Sequence, residues 1–163
     1  MFRLCSALPM KISEILRREF IQLDIEAATK DDAIYQLAQL AKGHPNLGDF
    51  PSFCRALYER ESSGSTAIGH GVAIPHARTD QAKDIFLVMG RLRVGVKFEP
   101  HAEESVRLLF LIGIPKQMVA EYLRLVGILA RQMKLDALRE RLLAAAAPDD
   151  VIQAFVEVEN ATP

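Results

Sequence analysis

The sequence predicts one α/β domain, a sandwich in which helices flank a mixed central β-sheet. Segments with apolar residues at helical spacing are interleaved with segments in which apolar and polar residues alternate. Residues 107–114 are almost continuously apolar, as expected of a strand that helices cover on both faces. The chain has 163 residues, of which 50% are hydrophobic, and this is enough for one core of ordinary size.

In the first half of the predicted domain, capping residues indicate where helices begin. Thr29 is typical of an N-cap, and Asp31 and Asp32 follow it in the first turn, where the helix dipole favours negative charge. Asp49 is typical of a second helix start. The expected elements are a short helical segment at residues 10–18, a strand at 20–25, and helices at 29–43 and 49–62. Between the two helices, we interpret His44 as a surface loop residue.

The second half supplies further strands and three more helices. Residues 72–74 form a short apolar run that Pro75 ends, because proline lacks the N–H that a continuing interior strand would donate. The other expected elements are one long strand or a hairpin at residues 84–98, a strand at 107–114, and helices at 119–133, 135–145 and 149–158. We expect the domain to span residues 10–159, with an N-terminal extension at 1–9 and a tail at 160–163.

The composition restricts the range of functions. Lys plus Arg number 20 and Asp plus Glu number 21, so the chain lacks the positive charge of a protein that coats a nucleic acid. No apolar run in the sequence approaches the length of a membrane span, and the first nine residues are too interrupted for a signal peptide. The two cysteines, Cys5 and Cys54, form no CxxC pair. We expect a cytoplasmic protein that neither binds nucleic acid nor inserts into a membrane.

Residues 61–78 form a glycine-punctuated run that contains the main candidate for chemistry, His76. This residue follows Pro75, so we expect the imidazole at a strand end, on backbone with little freedom. Glycines upstream permit left-handed turns and expose N–H groups that can surround an anion. The glycines are Gly64, Gly69 and Gly71, and the nearby side-chain donors are Arg60, Ser65, Thr66 and Arg78.

An imidazole among anion-binding groups is suited to phosphoryl transfer. It is largely unprotonated near neutral pH and is still a good nucleophile, so it can accept a phosphoryl group and give it up again. A metal site that pairs His70 with His76 is an alternative, but glycines on both sides of His70 disfavour a regular strand there. We interpret Gly69, His70 and Gly71 as lining the site, and we expect neither a metal nor a cofactor.

The same run resembles the phosphorylation-site motif of the IIA proteins of the bacterial sugar phosphotransferase system, in the mannitol/fructose class (type 2) that includes the nitrogen-regulatory branch. The matching positions, in register and without insertion, are Glu61, Ile68, Gly69, Val72, Ala73, Ile74, Pro75, His76 and Ala77. The resemblance extends from about residue 11 to about residue 159. It implies that His76 accepts a phosphoryl group from a small histidine phosphocarrier protein and that Arg60 stabilises this group.

One position departs from the pattern of this family. Many members carry a second histidine, in a His-Leu pair, at the start of the long helix after the last strand, and here the pair falls on Tyr122 and Leu123. Tyrosine can donate a hydrogen bond but cannot carry a positive charge. We therefore expect weaker support of the phosphorylated state, or a replacement by His70 or His101, with Tyr122 lining the site.

Three functions are consistent with these residues. The first is a phosphoryl carrier most like the nitrogen-regulatory branch, since no transport domain accompanies the chain; phosphorylation of His76 would switch the binding of regulatory protein targets. Apolar surface near Phe98 and Val119 is expected to dock partners. The second is a binding module of the same fold without efficient phosphotransfer, which the tyrosine at position 122 would explain. The third is a metal-dependent hydrolase that uses His70, His76 and an acidic residue.

Overall fold

The computed structural model describes residues 10–161, and within this range a mixed sheet of six strands forms the centre. The strands are β1 (Ile21–Ile25), β2 (Ala67–Gly69), β3 (Val72–Ala73), β4 (His76–Arg78), β5 (Phe86–Val96) and β6 (Val106–Ile114). Their order is β1-β5-β6-β3-β2, and β4 also pairs with β6. β5 and β6 are antiparallel, whereas β1 is parallel to β5, and β3 and β4 are parallel to β6. The predicted mixed sheet is confirmed.

Helices cover both faces of this sheet. In the described part of the chain they are α1 (Ile12–Ile15), α2 (Lys30–Ala41), α3 (Phe50–Ser62), α4 (Val119–Gln132), α5 (Asp136–Ala144) and α6 (Pro148–Ala161). Phe110 of β6 packs in a core with side chains of α4, α5 and α6. Its neighbours Leu109 and Leu111 pack in a second core with side chains of α2 and α3. Burial on both faces explains why residues 107–114 are almost continuously apolar.

Helices α2 and α3 begin where their capping residues predict. The hydroxyl of Thr29 accepts a hydrogen bond from the N–H of Asp32 at 3.1 Å, and the carboxylate of Asp49 accepts one from the N–H of Ser52 at 3.0 Å. These bonds satisfy N–H groups that have no partner inside the helix. Gly43 follows α2 with a φ of 109°, a left-handed conformation that suits glycine at a helix end.

The strand near His76 differs from the prediction. β3 ends at Ala73, but the chain pairs with β6 again at His76, so this residue begins β4 and does not end a strand. Pro75 permits this because its carbonyl oxygen accepts a hydrogen bond from the N–H of Ile112 at 2.9 Å. The hydrogen-bond ladder to β6 therefore continues across the proline. Backbone bonds to β6 fix the chain both before and after His76.

β2 is a strand that the sequence pattern does not predict. Gly69 of β2 pairs with Val72 of β3, which leaves His70 and Gly71 as a two-residue turn. The φ angles of His70 and Gly71 are 58° and 72°, and positive values at both positions are typical of a type I′ hairpin turn. β2 has three residues and is largely exposed, so it lacks the alternation by which strands are recognised.

Other elements differ from the prediction at their ends. Residues 84–98 contain one long strand, β5, and its hairpin partner is β6. The helical segment expected at 10–18 is shorter, since α1 ends at Ile15, and a short 3₁₀ turn, Arg18–Phe20, precedes β1. Helix α6 continues to Ala161, into the expected tail. The extension expected at 1–9 and the last two positions of the tail lie outside the described residues.

His44 is buried, so its interpretation as a surface residue is wrong. Its ring lies between the rings of Phe20 and Phe86, with centroid distances of 4.5 Å and 4.9 Å. Its Nδ1 accepts a hydrogen bond from the N–H of Asn46 at 3.0 Å. Burial, followed by the nearby charge of Arg17, lowers the pKa of His44 below its ordinary value of 6.5.

The lowered pKa predicts that His44 makes the fold sensitive to mild acid. Below about pH 6.5 the unfolded chain binds a proton that folded His44 resists, so the free energy of unfolding should fall as the pH drops from 7 to 5. We expect His44→Gln, which cannot titrate, to show a shallower fall in urea unfolding curves measured across this range. His101→Gln, which changes an exposed histidine, is the control and should follow the wild type. Equal slopes in all three proteins would contradict the prediction.

Candidate functional site

The hydrogen bonds of His76 define which ring nitrogen is the nucleophile. Nδ1 lies 2.9 Å from the carbonyl oxygen of Ile74. Because a carbonyl oxygen only accepts hydrogen bonds, Nδ1 must carry the proton. Nε2 accepts from Nε of Arg60 at 3.1 Å and faces the hydroxyl of Tyr122 at 2.8 Å. Nε2 of the neutral ring therefore has the free electron pair, and two donors are directed at it.

The surroundings of His76 favour this neutral form. The residue is 8% exposed. Burial lowers the pKa of His76, the positive charges of Arg60 and Arg78 lower it further, and the bond to Ile74 and the charge of Glu61 raise it. The net shift is downward from 6.5, so the ring is largely unprotonated at neutral pH. An unprotonated Nε2 can attack an electrophile without a separate base.

Although His76 is largely buried, its reactive side reaches open space. A cavity of about 500 Å³ is lined by Ala56, Glu59, Arg60, His76, Arg78 and Tyr122. The two groups that contact Nε2, Arg60 and Tyr122, both line this cavity, so Nε2 is the nitrogen on the cavity side. Nη1 of Arg60 donates to the carbonyl oxygen of Gly64 at 2.9 Å, which holds the guanidinium in place. The site thus joins a nucleophilic nitrogen to two cationic side chains.

Glu61 organises the loop that leads into the site. Its carboxylate is buried, pairs with Nζ of Lys30 at 2.8 Å, and accepts bonds from the N–H and the hydroxyl of Thr66 at 3.1 Å and 2.5 Å. The carbonyl oxygen of Thr66 in turn accepts from the N–H of Ile74 at 3.0 Å. Glu61 therefore links helix α3 to the backbone that contacts the His76 ring.

This arrangement predicts that Glu61 is required for stability. Glu61→Ala leaves two buried donors of Thr66 and the ammonium of Lys30 without their acceptor, so the free energy of unfolding should fall by about 2–4 kcal/mol. Chemical denaturation measures this loss. Glu59→Ala, on the exposed face of the same helix, should change stability by no more than about 0.5 kcal/mol. A Glu61 variant as stable as the Glu59 variant would show that the buried ion pair contributes nothing.

The structure places several expected site residues away from the ring of His76. The hydroxyl of Thr66 is directed at Glu61, and that of Ser65 accepts from the N–H of Ala67 at 3.2 Å. The turn at 69–71 lies beside the start of β6, whereas His76 pairs with Ile112 near its end. Val72, just after this turn, pairs with Leu108, and His76 pairs with Ile112, so four residues of β6, on the order of 13 Å, separate the two pairing points. The two imidazoles are therefore too far apart to share a metal.

Gly69, His70 and Gly71 line a separate cavity together with Phe98, Glu99 and Glu103. Phe98 is 4% exposed, so it contributes little to the surface that was expected to dock partners. Val119 and Leu123 are 40% and 62% exposed, and they lie on the same helix as Tyr122, which lines the His76 cavity. Within residues 10–161, no group of three or more His, Cys, Asp or Glu side chains is placed to hold a metal ion.

One contribution to the site was not predicted from the sequence, and one expected donor lies in the cavity. Lys30 neutralises Glu61 across a separation of 31 residues, and nothing local to either residue marks the pair. Arg78, which was expected to be a nearby donor, lines the His76 cavity, as its position two residues after His76 in an alternating strand allows. Among the described helices, none is both long enough and apolar enough to cross a bilayer.

Comparison with known proteins places these features in a family. The model of the family described as "Phosphoenolpyruvate-dependent sugar phosphotransferase system, EIIA 2" matches residues 14–158. The fructose-specific EIIA component of Haloferax volcanii is 33% identical over 147 residues, which cover 90% of this chain and 96% of that protein. The nitrogen regulatory protein of Escherichia coli is 26% identical over 154 residues, which cover 93% of each chain.

The fold gives the same result. The crystal structure of the nitrogen regulatory protein IIA-Ntr from Neisseria meningitidis superposes with a TM-score of 0.81 at 29% identity, covering 88% of this chain and 98% of that one. The similarity therefore includes relatives from both the sugar-specific and the nitrogen-regulatory groups. Because the family model covers most of the chain, this protein belongs to the EIIA type 2 family of the phosphoenolpyruvate-dependent sugar phosphotransferase system.

Proposed function

We propose that the protein is a phosphoryl carrier in which Nε2 of His76 accepts a phosphoryl group from a histidine phosphocarrier protein. The observation that carries this proposal is the single free electron pair of His76, which faces a cavity lined by Arg60, Arg78 and Tyr122. Membership of the EIIA type 2 family supports the same role. The transfer would take place in the cytoplasm, where a reduced Cys54 is expected to persist.

The chemical step is a direct displacement at phosphorus. Nε2 of His76 forms the new N–P bond while the bond from phosphorus to the donor's histidine nitrogen breaks, and that nitrogen recovers its electron pair. The proton stays on Nδ1 of His76, where the carbonyl oxygen of Ile74 accepts its hydrogen bond. No base or metal is needed for this exchange. The positioned donors around Nε2 stabilise the charge of the group in transfer.

Phosphorylation requires the two donors at Nε2 to change partners. Once Nε2 is bonded to phosphorus it no longer accepts hydrogen bonds, and its former partners, Arg60 and Tyr122, lie about 3 Å away. The phosphoryl oxygens would enter that space and take over both bonds. Ser65 and Thr66, which were expected to stabilise phosphate, would act only through the loop, because neither lines the His76 cavity and the hydroxyl of Thr66 already donates to Glu61.

We propose that the phosphoryl group acts as a switch on the binding of regulatory protein targets, as in a nitrogen-regulatory IIA protein. About two negative charges added between Arg60 and Arg78 would change which surfaces the exposed side chains of Val119 and Leu123 can dock. The nitrogen-regulatory relatives support this role. The fructose-specific relative supports a second candidate, in which the group is passed on for sugar uptake.

Incubation with a phosphorylated histidine phosphocarrier protein tests the carrier role. We expect one acid-labile phosphoryl group per chain, detected by intact mass spectrometry. If the protein is never labelled, a binding module of the same fold is the better description. Labelled protein that loses its phosphoryl group to components of a fructose-uptake system would favour the sugar role. Labelled protein that keeps the group and binds regulatory targets differently would favour the switch.

Tyr122 is predicted to support the phosphoryl group by a neutral hydrogen bond. Tyr122→Phe keeps a ring beside His76, at a centroid distance of 5.0 Å in the native protein, but removes the hydroxyl. Loss of one hydrogen bond of about 1–1.5 kcal/mol should shorten the lifetime of the phosphorylated protein by about tenfold. The hydrolysis rate of purified phosphoprotein measures this effect.

Two further variants should be measured beside Tyr122→Phe. Tyr35→Phe changes an exposed hydroxyl on α2 and should leave the phosphoprotein lifetime unchanged. Tyr122→His introduces the imidazole that other family members carry, so the lifetime should become dependent on pH between about 5 and 8, where histidine titrates. An unchanged lifetime in Tyr122→Phe would remove the hydroxyl from the phosphorylated site.

A further inference from the structure

Another cavity, at the opposite end of β6 from His76, is lined by two arginine side chains. It measures about 380 Å³ and lies between the β2–β3 turn, the start of β6 and helix α5. The polar side chains that line it are those of His70, Glu104, Ser105, Arg107 and Arg139. We call it the arginine cavity. His76 pairs with Ile112, whereas this cavity begins at the backbone of residues 104–108, so the two sites do not overlap.

A β-bulge directs Arg107 into the arginine cavity. The N–H groups of Arg107 and Leu108 both donate to the carbonyl oxygen of Gly71, at 2.9 Å and 3.1 Å. Val106 packs in the core beneath α2 and α3, whereas Leu108 packs in the core beneath α4, α5 and α6. The alternation of sides is therefore broken at Arg107, as a bulge requires. Bulges commonly re-aim a side chain at a binding site, and this one brings Arg107 to the side of α5.

Of the two arginines that line the cavity, Arg107 has no acidic partner among the described residues, whereas Arg139 pairs with Asp136. Arg107 uses Nε to donate to the carbonyl oxygen of Leu92 at 3.1 Å, and its two terminal nitrogens have no partner among residues 10–161. Arg91, on the adjacent strand, donates only to carbonyl oxygens, and burial, followed by the charge of Arg107, lowers its pKa. No ion pair within the described chain includes Arg91 or Arg107, and Glu104 is the one acid among the lining residues.

We propose that the arginine cavity binds a small metabolite through its phosphate group. The terminal nitrogens of Arg107 supply a planar fork for two phosphate oxygens, and the hydroxyl of Ser105 and the ring of His70 supply further donors. Arg139 also lines the cavity, and its charge is shared with Asp136 on the same helix. A volume of about 380 Å³ accommodates a small organic phosphate. This site is independent of the proposed phosphoryl transfer at His76.

The test is an NMR titration of the whole chain, labelled with ¹⁵N, with inorganic phosphate as the probe and sodium chloride at matched ionic strength as the reference. We expect saturable shifts at the amides of Gly71, Ser105 and Arg107. Arg107→Gln should weaken phosphate binding at least about tenfold. Glu104→Gln should strengthen it, because the one lining carboxylate repels the ligand. Arg93→Gln, which changes an arginine paired with Asp24 and Glu26 outside the cavity, should bind as the wild type does.

Three outcomes would overturn the proposal: shifts that sodium chloride reproduces, shifts confined to residues around His76, or equal binding by Arg107→Gln and the wild type. The unfolding temperature without phosphate shows whether each variant is folded. If Arg107→Gln is not folded, Ser105→Ala and Glu104→Gln decide the question, since their expected effects have opposite signs. Labelling of His76 by the phosphocarrier protein should be unchanged in Arg107→Gln, so failure of this site and failure of the proposed carrier function give different results.

Discussion

His76→Ala is expected to abolish the acid-labile phosphorylation of this protein. The substitution removes the nitrogen whose free electron pair faces the cavity. Labelling should fall below detection when the variant is incubated with phosphorylated histidine phosphocarrier protein and examined by intact mass spectrometry. His76→Gln should give the same result. Glutamine is closer to histidine in size than alanine is, so this variant leaves a smaller cavity in the largely buried site.

His70→Ala is the matched control for this experiment. His70 belongs to the same run of sequence and is exposed at the β2–β3 turn, which lies at the opposite end of β6 from His76, so its removal should leave labelling intact. Unfolding temperatures of the three proteins establish that each is folded. Labelling of His76→Ala at the wild-type level would show that phosphate resides on another side chain, and the proposed mechanism would then fail at its first step.

Much of the fold can be predicted because its causes are local. The cap at Thr29 depends on a side chain and an N–H three residues later. The almost continuous apolar run at residues 107–114 indicates a strand that is buried on both faces. β2 could not be recognised because an exposed three-residue strand carries no apolar pattern. The burial of His44 could not be predicted either. Its flanking glycine and proline indicate a loop, and it is buried by Phe20 and Phe86, which are distant in sequence.

The candidate site is predictable only where the chain itself brings residues together. The motif identifies His76, and the alternation of a strand places Arg78 on the same side. The proton on Nδ1 depends on the carbonyl oxygen of Ile74, a contact within three residues that sequence alone does not reveal. Tyr122 lies 46 residues away and reaches Nε2 only because α4 packs beside β4. Thr66 is close to His76 in sequence and was expected to bind phosphate, but its hydroxyl donates to the carboxylate of Glu61.

Arg60→Gln is expected to slow phosphorylation of His76 by about 100-fold. The guanidinium contacts Nε2 directly and is held by the carbonyl oxygen of Gly64, so it is positioned before the phosphoryl group arrives. A preorganised donor of this kind typically contributes two to three powers of ten to a rate. Arg60→Lys keeps the charge but loses the planar fork, and its rate should fall between those of wild type and Arg60→Gln. Quenched-flow labelling with the phosphorylated phosphocarrier measures all three rates.

Arg60 also influences the protonation of His76, and this gives a second measurement that a purely structural role would not affect. Its charge is one of the causes that lower the pKa of His76, so its removal should raise that pKa and move the acid limb of the pH–rate profile to higher pH. Arg55→Gln, an exposed position on the same helix, should change neither the rate nor the profile. If Arg60→Gln behaves as Arg55→Gln does, the contact with Nε2 has no part in catalysis. A slower rate with an unmoved acid limb would mean that Arg60 acts on the phosphoryl group alone.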